Sequence, residues 1–358
     1  MKILIVAAWP TGLTAALGFA NRGIVPDIVD AKEYPSKLSR AVGILPRSIE
    51  ILNELGAGKR IVDEAIEAHV VTIQRNGKTI LSVDLSKFLD GKERFVSLPQ
   101  DRTESLMSER LEEMGTRVQY NTRVVNVESN NEGTVTVTFE DGAKKEYDWV
   151  VGADGVKSAV RESVGIKYEG YELEEEWSIA DVEVHSDYNE REFRAWLLES
   201  DHGEKDAMIM VPIGPKRVRL ISSTPDSIKA LPIRLDLKEI RRSGTFKISI
   251  RQAEQYVKGR VALAGDAAHA HSPVGGRGMN LGIEDAFALV DAIINNTTSE
   301  YAKSRKRRAG NVIRVTEFVR KTLVSESPIA GFFITILAWC IEHSDTLKAK
   351  FAHNVARL

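Results

Sequence analysis

The residues best suited to bind a ligand lie in one stretch, residues 259–288. Gly275, Gly276 and Gly278 stand within four positions, directly before a segment that reads as a helix. Glycines allow backbone N–H groups to approach a ligand without interference from a Cβ atom, and a helix N-terminus adds partial positive charge. The sequence therefore predicts a site for an anionic or electron-accepting group.

A carboxylate lies a few residues earlier in the same stretch. The apolar run at residues 260–264 predicts a strand, and Gly265 and Asp266 follow it in a tight turn. At the carboxyl ends of strands in nucleotide-binding sheets, such carboxylates accept hydrogen bonds from ligand hydroxyls. We expect Asp266 to do the same.

This stretch, GDAAHAHSPVGGRGMN, resembles the second FAD-binding motif of the flavoprotein aromatic hydroxylases, the group A monooxygenases similar to p-hydroxybenzoate hydroxylase. The resemblance implies that Pro273 shapes the loop beside the isoalloxazine ring. It also implies that backbone N–H groups at the helix start stabilise negative charge on the reduced flavin. The cofactor-binding residues implied here are Gly265, Asp266, Pro273, Gly276, Gly278, Met279 and Asn280.

The N-terminal segment is typical of a dinucleotide-binding βαβ unit. Residues 2–7 predict a buried strand, residues 12–22 a helix with small residues, and residues 25–29 a second strand that ends in Asp30. Asp30 is positioned for ribose hydroxyls, and Gly12 lets the helix lie close on the sheet.

The same unit departs from its family in the phosphate turn. Where the pattern G-x-G-x-x-G is expected, the chain has Ala7, Trp9 and Gly12. The first glycine serves the turn and the second admits the pyrophosphate, so an indole at position 9 stands where phosphate belongs. Three interpretations remain open: the loop bends and FAD still binds, binding is weakened, or the protein is a flavin-poor homologue.

Three further positions resemble the family's cofactor contacts. Arg40, beside the sequence AVGILP, would pair with FAD phosphate or with NAD(P)H. Gln100 corresponds to a flavin-contacting glutamine before a helix at residues 102–114. Asp154, in VVGADG ahead of a helix that contains Arg161, resembles a motif that bears on FAD and NAD(P)H binding.

A second region predicts antiparallel sheet. Residues 70–96 alternate around Asn76-Gly77, a strong hairpin signal, and alternating segments continue through residues 177–222. One face of this sheet should cover the flavin and hold substrate, although core packing is the competing role. The substrate candidates, which share faces in pairs, are Arg194 with Trp196 and Met208 with Met210.

The fold class is therefore α/β, α+β overall. We expect a Rossmann-like FAD-binding domain with a central parallel sheet, a mainly antiparallel substrate domain, and C-terminal helices. The predicted boundaries are 1–69, 98–175 and 246–300 for the FAD-binding domain, 70–97 and 176–245 for the substrate domain, and 301–358 for the C-terminal helical segment.

Composition limits the other classes. With 49 basic and 51 acidic residues the net charge is −2, which does not suggest a nucleic-acid partner. The single cysteine, Cys340, rules out an internal disulfide and fits a cytoplasmic protein. His269 and His271 have no further ligands at metal-site spacing, so no metal is expected. Residues 328–341 are too short an apolar run to span a bilayer, so membrane contact is not expected, and they could form a homodimer surface.

The resemblance implies a reaction in which NADH or NADPH reduces FAD and a flavin hydroperoxide transfers one oxygen atom of O₂ to an aromatic or similar small organic substrate. The chain would orient the reactants and exclude water. Two alternatives stay open: a reductase or dehydrogenase of the same fold, and a non-catalytic homologue that has lost flavin.

Overall fold

The structure is a computed structural model that describes residues 1–33, 41–89, 93–130, 133–185, 187–199, 205–273, 275–323 and 328–357. The strands are β1 Ile3–Val6, β2 Asp27–Val29, β3 Gly43–Ile44, β4 Ile66–Glu67, β5 Val70–Arg75, β6 Lys78–Asp84, β7 Val96–Ser97, β8 Val118–Gln119, β9 Val124–Ser129, β10 Val135–Phe139, β11 Lys144–Tyr147, β12 Trp149–Gly152, β13 Tyr168–Val184, β14 Glu192–Glu199, β15 Lys205–Gly214, β16 Arg217–Ser222, β17 Leu237–Ala253, β18 Val257–Lys258, β19 Val261–Leu263 and β20 His269–Ala270. The α-helices are α1 Pro10–Ala20, α2 Pro46–Glu54, α3 Gly58–Glu64, α4 Gln100–Glu113, α5 Ala159–Ser163, α6 Gly278–Ile294, α7 Thr298–Leu323, α8 Pro328–Glu342 and α9 Asp345–Arg357.

One sheet has the strand order β18-β19-β12-β1-β2-β8, and all its pairs are parallel except β18 with β19. β1 is buried along its whole length, as its continuous apolar sequence predicts for a strand covered on both faces. α1 and α6 pack together against this sheet. The carboxyl ends of β1, β2, β12 and β19 therefore meet at one edge, where the candidate site is built.

A larger sheet has the order β20-β17-β13-β16-β15-β14-β5-β6 and is antiparallel except for the pair β14 with β5. The predicted hairpin is confirmed: β5 pairs with β6 through Asn76 and Gly77, whose φ angles of 49° and 73° are those of a type I′ turn. The predicted combination of a parallel sheet with a mainly antiparallel one is thus confirmed.

Two long strands connect the predicted domains. β13 and β17 have 17 residues each and pair over most of their length. They run continuously through the predicted boundaries at 175/176 and 245/246. The boundaries themselves stay a prediction, but the structure shows that no flexible linker separates the regions at these points.

The larger sheet has two different faces. On one face, Trp196 and Met208 belong to a cluster covered by apolar residues between 228 and 237. On the other face, Phe193 and Val211 pack with Val42, which directly precedes β3, and with α8 and α9. Only this second face is directed toward the candidate site.

The C-terminal helices lie on the edge of the larger sheet. The Ser82 backbone N–H donates to the Glu342 carboxylate at 2.8 Å, which anchors α8 to β6. Among the helices of the described ranges, none combines the length and the apolar character that crossing a bilayer requires.

Candidate cofactor site

The carboxylate of Asp266 follows β19 in a short 3-10 turn, Gly265–Ala267. Gly265 has φ +59°, and a Cβ atom there would lie 2.6 Å from Thr11 Oγ1 on α1. Glycine is therefore required both by the backbone angle and by the close approach of α1. Asp266 is exposed at the carboxyl edge of the parallel sheet, where its side chain can meet a ligand.

The glycine loop forms an open cradle. Gly275 and Gly276 have φ angles of 85° and 62°, and among the described residues no atom would come within 4 Å of a Cβ built on Gly276 or Gly278. The Gly276 N–H donates to Pro273 O at 2.9 Å, which closes the loop. α6 then begins at Gly278 without a side-chain cap in the described part of the loop. Its first N–H groups have no intrahelical acceptors and so remain as donors for an anionic group.

Asn280 braces this cradle. Its Oδ1 accepts from Leu45 N at 2.8 Å, and its Nδ2 donates to Gly43 O at 3.0 Å and to Gly276 O at 2.9 Å. The side chain thus joins the glycine loop and α6 to β3. Any contact of Asn280 with the cofactor would come from its backbone N–H, since its amide is used in these bonds.

A buried ionic network that the sequence analysis missed lies beneath the loop. His269 Nε2 and Arg305 Nε each lie 2.5 Å from a carboxylate oxygen of Asp285, and neither His269 nor the Asp285 side chain is exposed. Burial alone would raise the pKa of Asp285, but the charges of His269 and Arg305 outweigh it and lower the pKa. The available signal was an aspartate on the apolar face of α6.

His271 is a second buried imidazole in this loop. Its Nδ1 lies 2.8 Å from Ser272 O and therefore donates, whereas the Nε2 atom is buried with no hydrogen-bond partner among the described residues, although the residue as a whole is partly exposed. Desolvation, with a smaller contribution from His269, lowers the pKa of His271 to about 4. The ring is neutral at physiological pH. Within the described ranges no group of acidic, histidine or cysteine side chains is arranged to hold a metal ion.

Asp154 and Arg161 connect two motifs. The Asp154 carboxylate accepts from Ser158 Oγ at 2.5 Å and from Val160 N at 3.1 Å, so it orders the start of α5. Arg161 is buried and donates to Ala267 O at 3.0 Å, directly beside Asp266. These bonds fix the turn after β12 to the turn after β19. The prediction that Asp154 contacts the cofactor is not tested by them.

The phosphate turn keeps its backbone form despite the changed residues. Ala7 has φ +87°, the angle expected of the first motif glycine, and its N–H donates to Val29 O at 2.7 Å. A Cβ atom on Gly12 would lie only 1.9 Å from Ala7 O, so glycine is required where α1 meets the turn. Asp30 is buried and accepts from Ala8 N at 2.8 Å.

Gln100 holds the chain at Ala41. Its side-chain Oε1 accepts from Ala41 N at 3.2 Å and its Nε2 donates to Glu104 at 2.7 Å. Burial raises the pKa of Glu104 to about 7. Arg40 itself lies outside the described residues, and the flavin contacts of both Arg40 and Gln100 stay predictions.

The four predicted substrate residues lie together on the larger sheet, and their contact with substrate stays a prediction. Arg194 and Trp196 lie opposite Met210 and Met208 in the register of β14 with β15, so all four share one face. That face is the one covered by the segment from 228 to 237, and Trp196, Met208 and Met210 are core residues there. Alternation correctly grouped these side chains but did not identify which face is directed toward the site. The opposite face carries Asp181 and Arg219, and Arg219 donates to Ala41 O at 3.1 Å.

Comparison with known proteins supplies the class. Residues 1–314 match the family model described as FAD binding domain, and the chain belongs to that family. The residues of the glycine loop fit FAD, because an open cradle and uncapped N–H groups occur there together. The phosphate turn fits in its backbone but carries an indole in place of a glycine.

Individual relatives agree with this assignment. Pentachlorophenol 4-monooxygenase of Sphingobium chlorophenolicum is 30% identical over 306 residues, which cover 80% of this chain and 57% of that protein. Rifampicin monooxygenase of Streptomyces venezuelae is 30% identical over 302 residues, covering 80% and 62%. The chain thus spans about three fifths of the length of these relatives. The crystal structure of p-nitrophenol 4-monooxygenase PnpA from Pseudomonas putida DLL-E4 superposes with a TM-score of 0.87 at 20% identity, covering 99% of this chain and 98% of that one, and shows the shared fold.

Proposed function

We propose that this protein is an FAD-dependent monooxygenase that uses NADH or NADPH and O₂ to hydroxylate an aromatic or similar small organic substrate. The family membership and the printed activities of the relatives support the class. The observation that carries the proposal is the uncapped start of α6 behind the open glycine loop, at the same sheet edge as Asp266.

The chain's own residues have distinct roles in this proposal. Asp266 accepts hydrogen bonds from hydroxyl groups of the cofactor, and the N–H groups of Gly278 and Met279 hold negative charge near the ring. Pro273 and the neutral His271 line the loop. When bound, FAD would supply the redox chemistry by taking electrons from the nicotinamide and activating O₂.

The substrate would lie against the face of the larger sheet that is directed toward the site. Phe95 and Phe193 meet edge to face there, with ring centroids 4.9 Å apart, and Val42 and Val211 belong to the same apolar cluster. An apolar surface with aromatic rings suits an aromatic substrate. Both faces of the sheet are largely covered, this one by α8 and α9 and the face of Trp196 and Met208 by residues 228–237, so the latter face stays the alternative.

We also propose a cytoplasmic location, no nucleic-acid or membrane partner, and a homodimer as an option for α8. The single Cys340 supports the cytoplasmic location, and the near-neutral net charge supports the absence of a nucleic-acid partner. We retain the division into a discontinuous FAD-binding domain, a substrate domain and a C-terminal helical segment as part of the proposal.

The proposal is tested by the purified protein and by isotope labelling. We expect a yellow protein, or one that becomes yellow on adding FAD, and product containing ¹⁸O when NAD(P)H, ¹⁸O₂ and a panel of phenols are supplied. Product without label would indicate the reductase or dehydrogenase alternative. A colourless protein that takes up no FAD would indicate the flavin-poor homologue, which Ala7 and Trp9 favour.

Asp266→Ala tests the placement of the cofactor within the site. Losing hydrogen bonds from ligand hydroxyls to a carboxylate should weaken FAD binding by about tenfold to a hundredfold, as measured by titration. Asp63→Ala, on the exposed side of α3, is the control and should leave the affinity unchanged. Unchanged affinity in Asp266→Ala would contradict the placement.

A further inference from the structure

An aromatic–cation pair occupies the place of the second motif glycine. Trp9 is the residue directly before α1, and Lys32 Nζ lies 3.7 Å from the centroid of its ring. Lys32 follows the end of β2, two residues beyond Asp30, so the pair spans the gap between the phosphate turn and β2. In dinucleotide-binding folds this gap receives the pyrophosphate and the ribose.

The charges around the pair favour this closed arrangement. Asp30 accepts from the backbone N–H groups of Ala8 and Lys32, at 2.8 Å and 2.9 Å. Glu104 is also buried and lies close enough to interact electrostatically with both Asp30 and Lys32. The Lys32 backbone is thus held by Asp30, and its ammonium lies over the indole. An entering diphosphate would have to break the contact between the Lys32 ammonium and the indole and displace the ring.

The other end of the site has no such obstruction. As far as the chain is described, the space around Gly276 and Gly278 is open and no side chain caps the N–H groups at the start of α6. Beneath Trp9, however, the backbone keeps the form of a nucleotide-binding turn, as the φ of +87° at Ala7 shows. The obstruction at this end is thus a matter of side chains, and it can be removed by substitution.

We propose that Trp9 and Lys32 close the adenosine end of the cofactor site, so that this chain selects a flavin by its ring and ribityl chain and gains little from the AMP half of FAD. Trp9 is then the residue that sets cofactor specificity. The inference rests on the proposed flavin function and adds to it the part of the cofactor that is recognised.

The test compares FAD with FMN, which lacks the AMP half, by titrating each into flavin-free protein and following flavin fluorescence. For the wild type we expect dissociation constants within roughly tenfold of each other. In Trp9→Gly, FAD binding should tighten by at least about tenfold while FMN binding stays within about twofold. Glycine is an accepted residue before a helix, so α1 should be retained, and circular dichroism checks this.

Two control variants separate the indole from the backbone. Ala8→Gly adds freedom to the same turn without removing the ring and should keep the wild-type ratio of FAD to FMN affinity. Trp9→Phe retains an aromatic ring beside Lys32 and should also keep the ratio.

The possible outcomes distinguish this inference from the proposed function. A wild type that binds FAD more than about a hundredfold tighter than FMN would overturn the inference without any variant and leave the flavin function intact. Unchanged FAD binding in Trp9→Gly would also overturn it, because the indole would then obstruct nothing, and so would weaker binding, because the indole would then contact the nucleotide favourably. If neither the wild type nor Trp9→Gly binds either flavin, both the inference and the proposed function are wrong.

Discussion

The two ends of the candidate cofactor site obtain similar backbone conformations by different means. At the glycine loop, the positive φ angles belong to Gly275 and Gly276, which adopt them without strain. At the phosphate turn, the corresponding angle of +87° belongs to Ala7, for which that region is unfavourable. The glycine loop therefore has the glycines that its conformation requires, whereas the phosphate turn has the conformation of a motif glycine with an alanine at that position.

The surroundings of Ala7 explain how this is possible. Its N–H is held by Val29 O, its carbonyl lies against Gly12, and the next N–H is held by Asp30. These contacts come from α1 and from the end of β2, and they determine the turn together. Losing a motif glycine therefore does not by itself show that a turn has been lost, because packing can impose the angle on another residue.

The largest effect on the free energy of unfolding is expected from the ionic network beneath the glycine loop. Asp285→Asn should destabilise the protein by about 3 kcal/mol, because it removes the fully buried carboxylate that pairs with the partly buried Arg305 and with His269. Urea unfolding measures this as a lower midpoint at an unchanged slope.

Asp291→Asn is the matched control for this substitution. It lies on the same helix and pairs with Arg22, but both side chains are substantially exposed, so the loss should be below about 1 kcal/mol. Equal losses in the two variants would mean that the network does not stabilise this end of the site.

An intermediate effect is expected on the pH dependence of the free energy of unfolding, and it comes from His271 in the same loop. Its pKa is lowered from 6.5 to about 4 in the folded protein. As the pH falls through this window the unfolded chain binds the proton first, so the free energy of unfolding should decrease from about pH 6.5 to about pH 4 and then level off.

The measurement is urea unfolding at a series of pH values. His271→Gln should show a smaller decrease than the wild type over the same window. His185→Gln, at an exposed position, is the control and should retain the wild-type pH dependence. An unchanged slope in His271→Gln would show that the imidazole is protonated as easily in the folded state as in the unfolded state.

Much of the fold could be predicted from local patterns. The helix predicted at residues 102–114 is α4 at Gln100–Glu113, and the Asn76-Gly77 hairpin forms as expected. The second strand of the βαβ unit is shorter than predicted and begins at Asp27, because only its last residues pair with β1. Such features depend on neighbours in the sequence, and periodicity and turn residues report on them directly.

The rest depends on contacts between distant segments. The network of His269, Asp285 and Arg305 joins a strand to two helices, and although Asp285 stands out as an aspartate on the apolar face of α6, the local sequence does not show which residues pair with it. Similarly, alternation placed Trp196 and Met208 on one face, but the packing of residues 228–237 decided which face that was. The resemblance to flavoprotein hydroxylases predicted the motif residues, but it did not predict the cation–π contact between Lys32 and Trp9.

The smallest effect on the free energy of unfolding is expected at the phosphate turn, where a substitution should stabilise the protein instead of destabilising it. Ala7→Gly removes an unfavourable backbone conformation that costs about 1–2 kcal/mol. Glycine loses more entropy on folding, by roughly 0.5–1 kcal/mol, so the net change should be a stabilisation of at most about 1.5 kcal/mol. Ala8→Gly, whose φ is not positive, should instead be destabilising by roughly 0.5–1 kcal/mol. If both substitutions destabilise the protein equally in urea unfolding, the turn at Ala7 is not strained, and the two ends of the site do not differ in the way that their φ angles indicate.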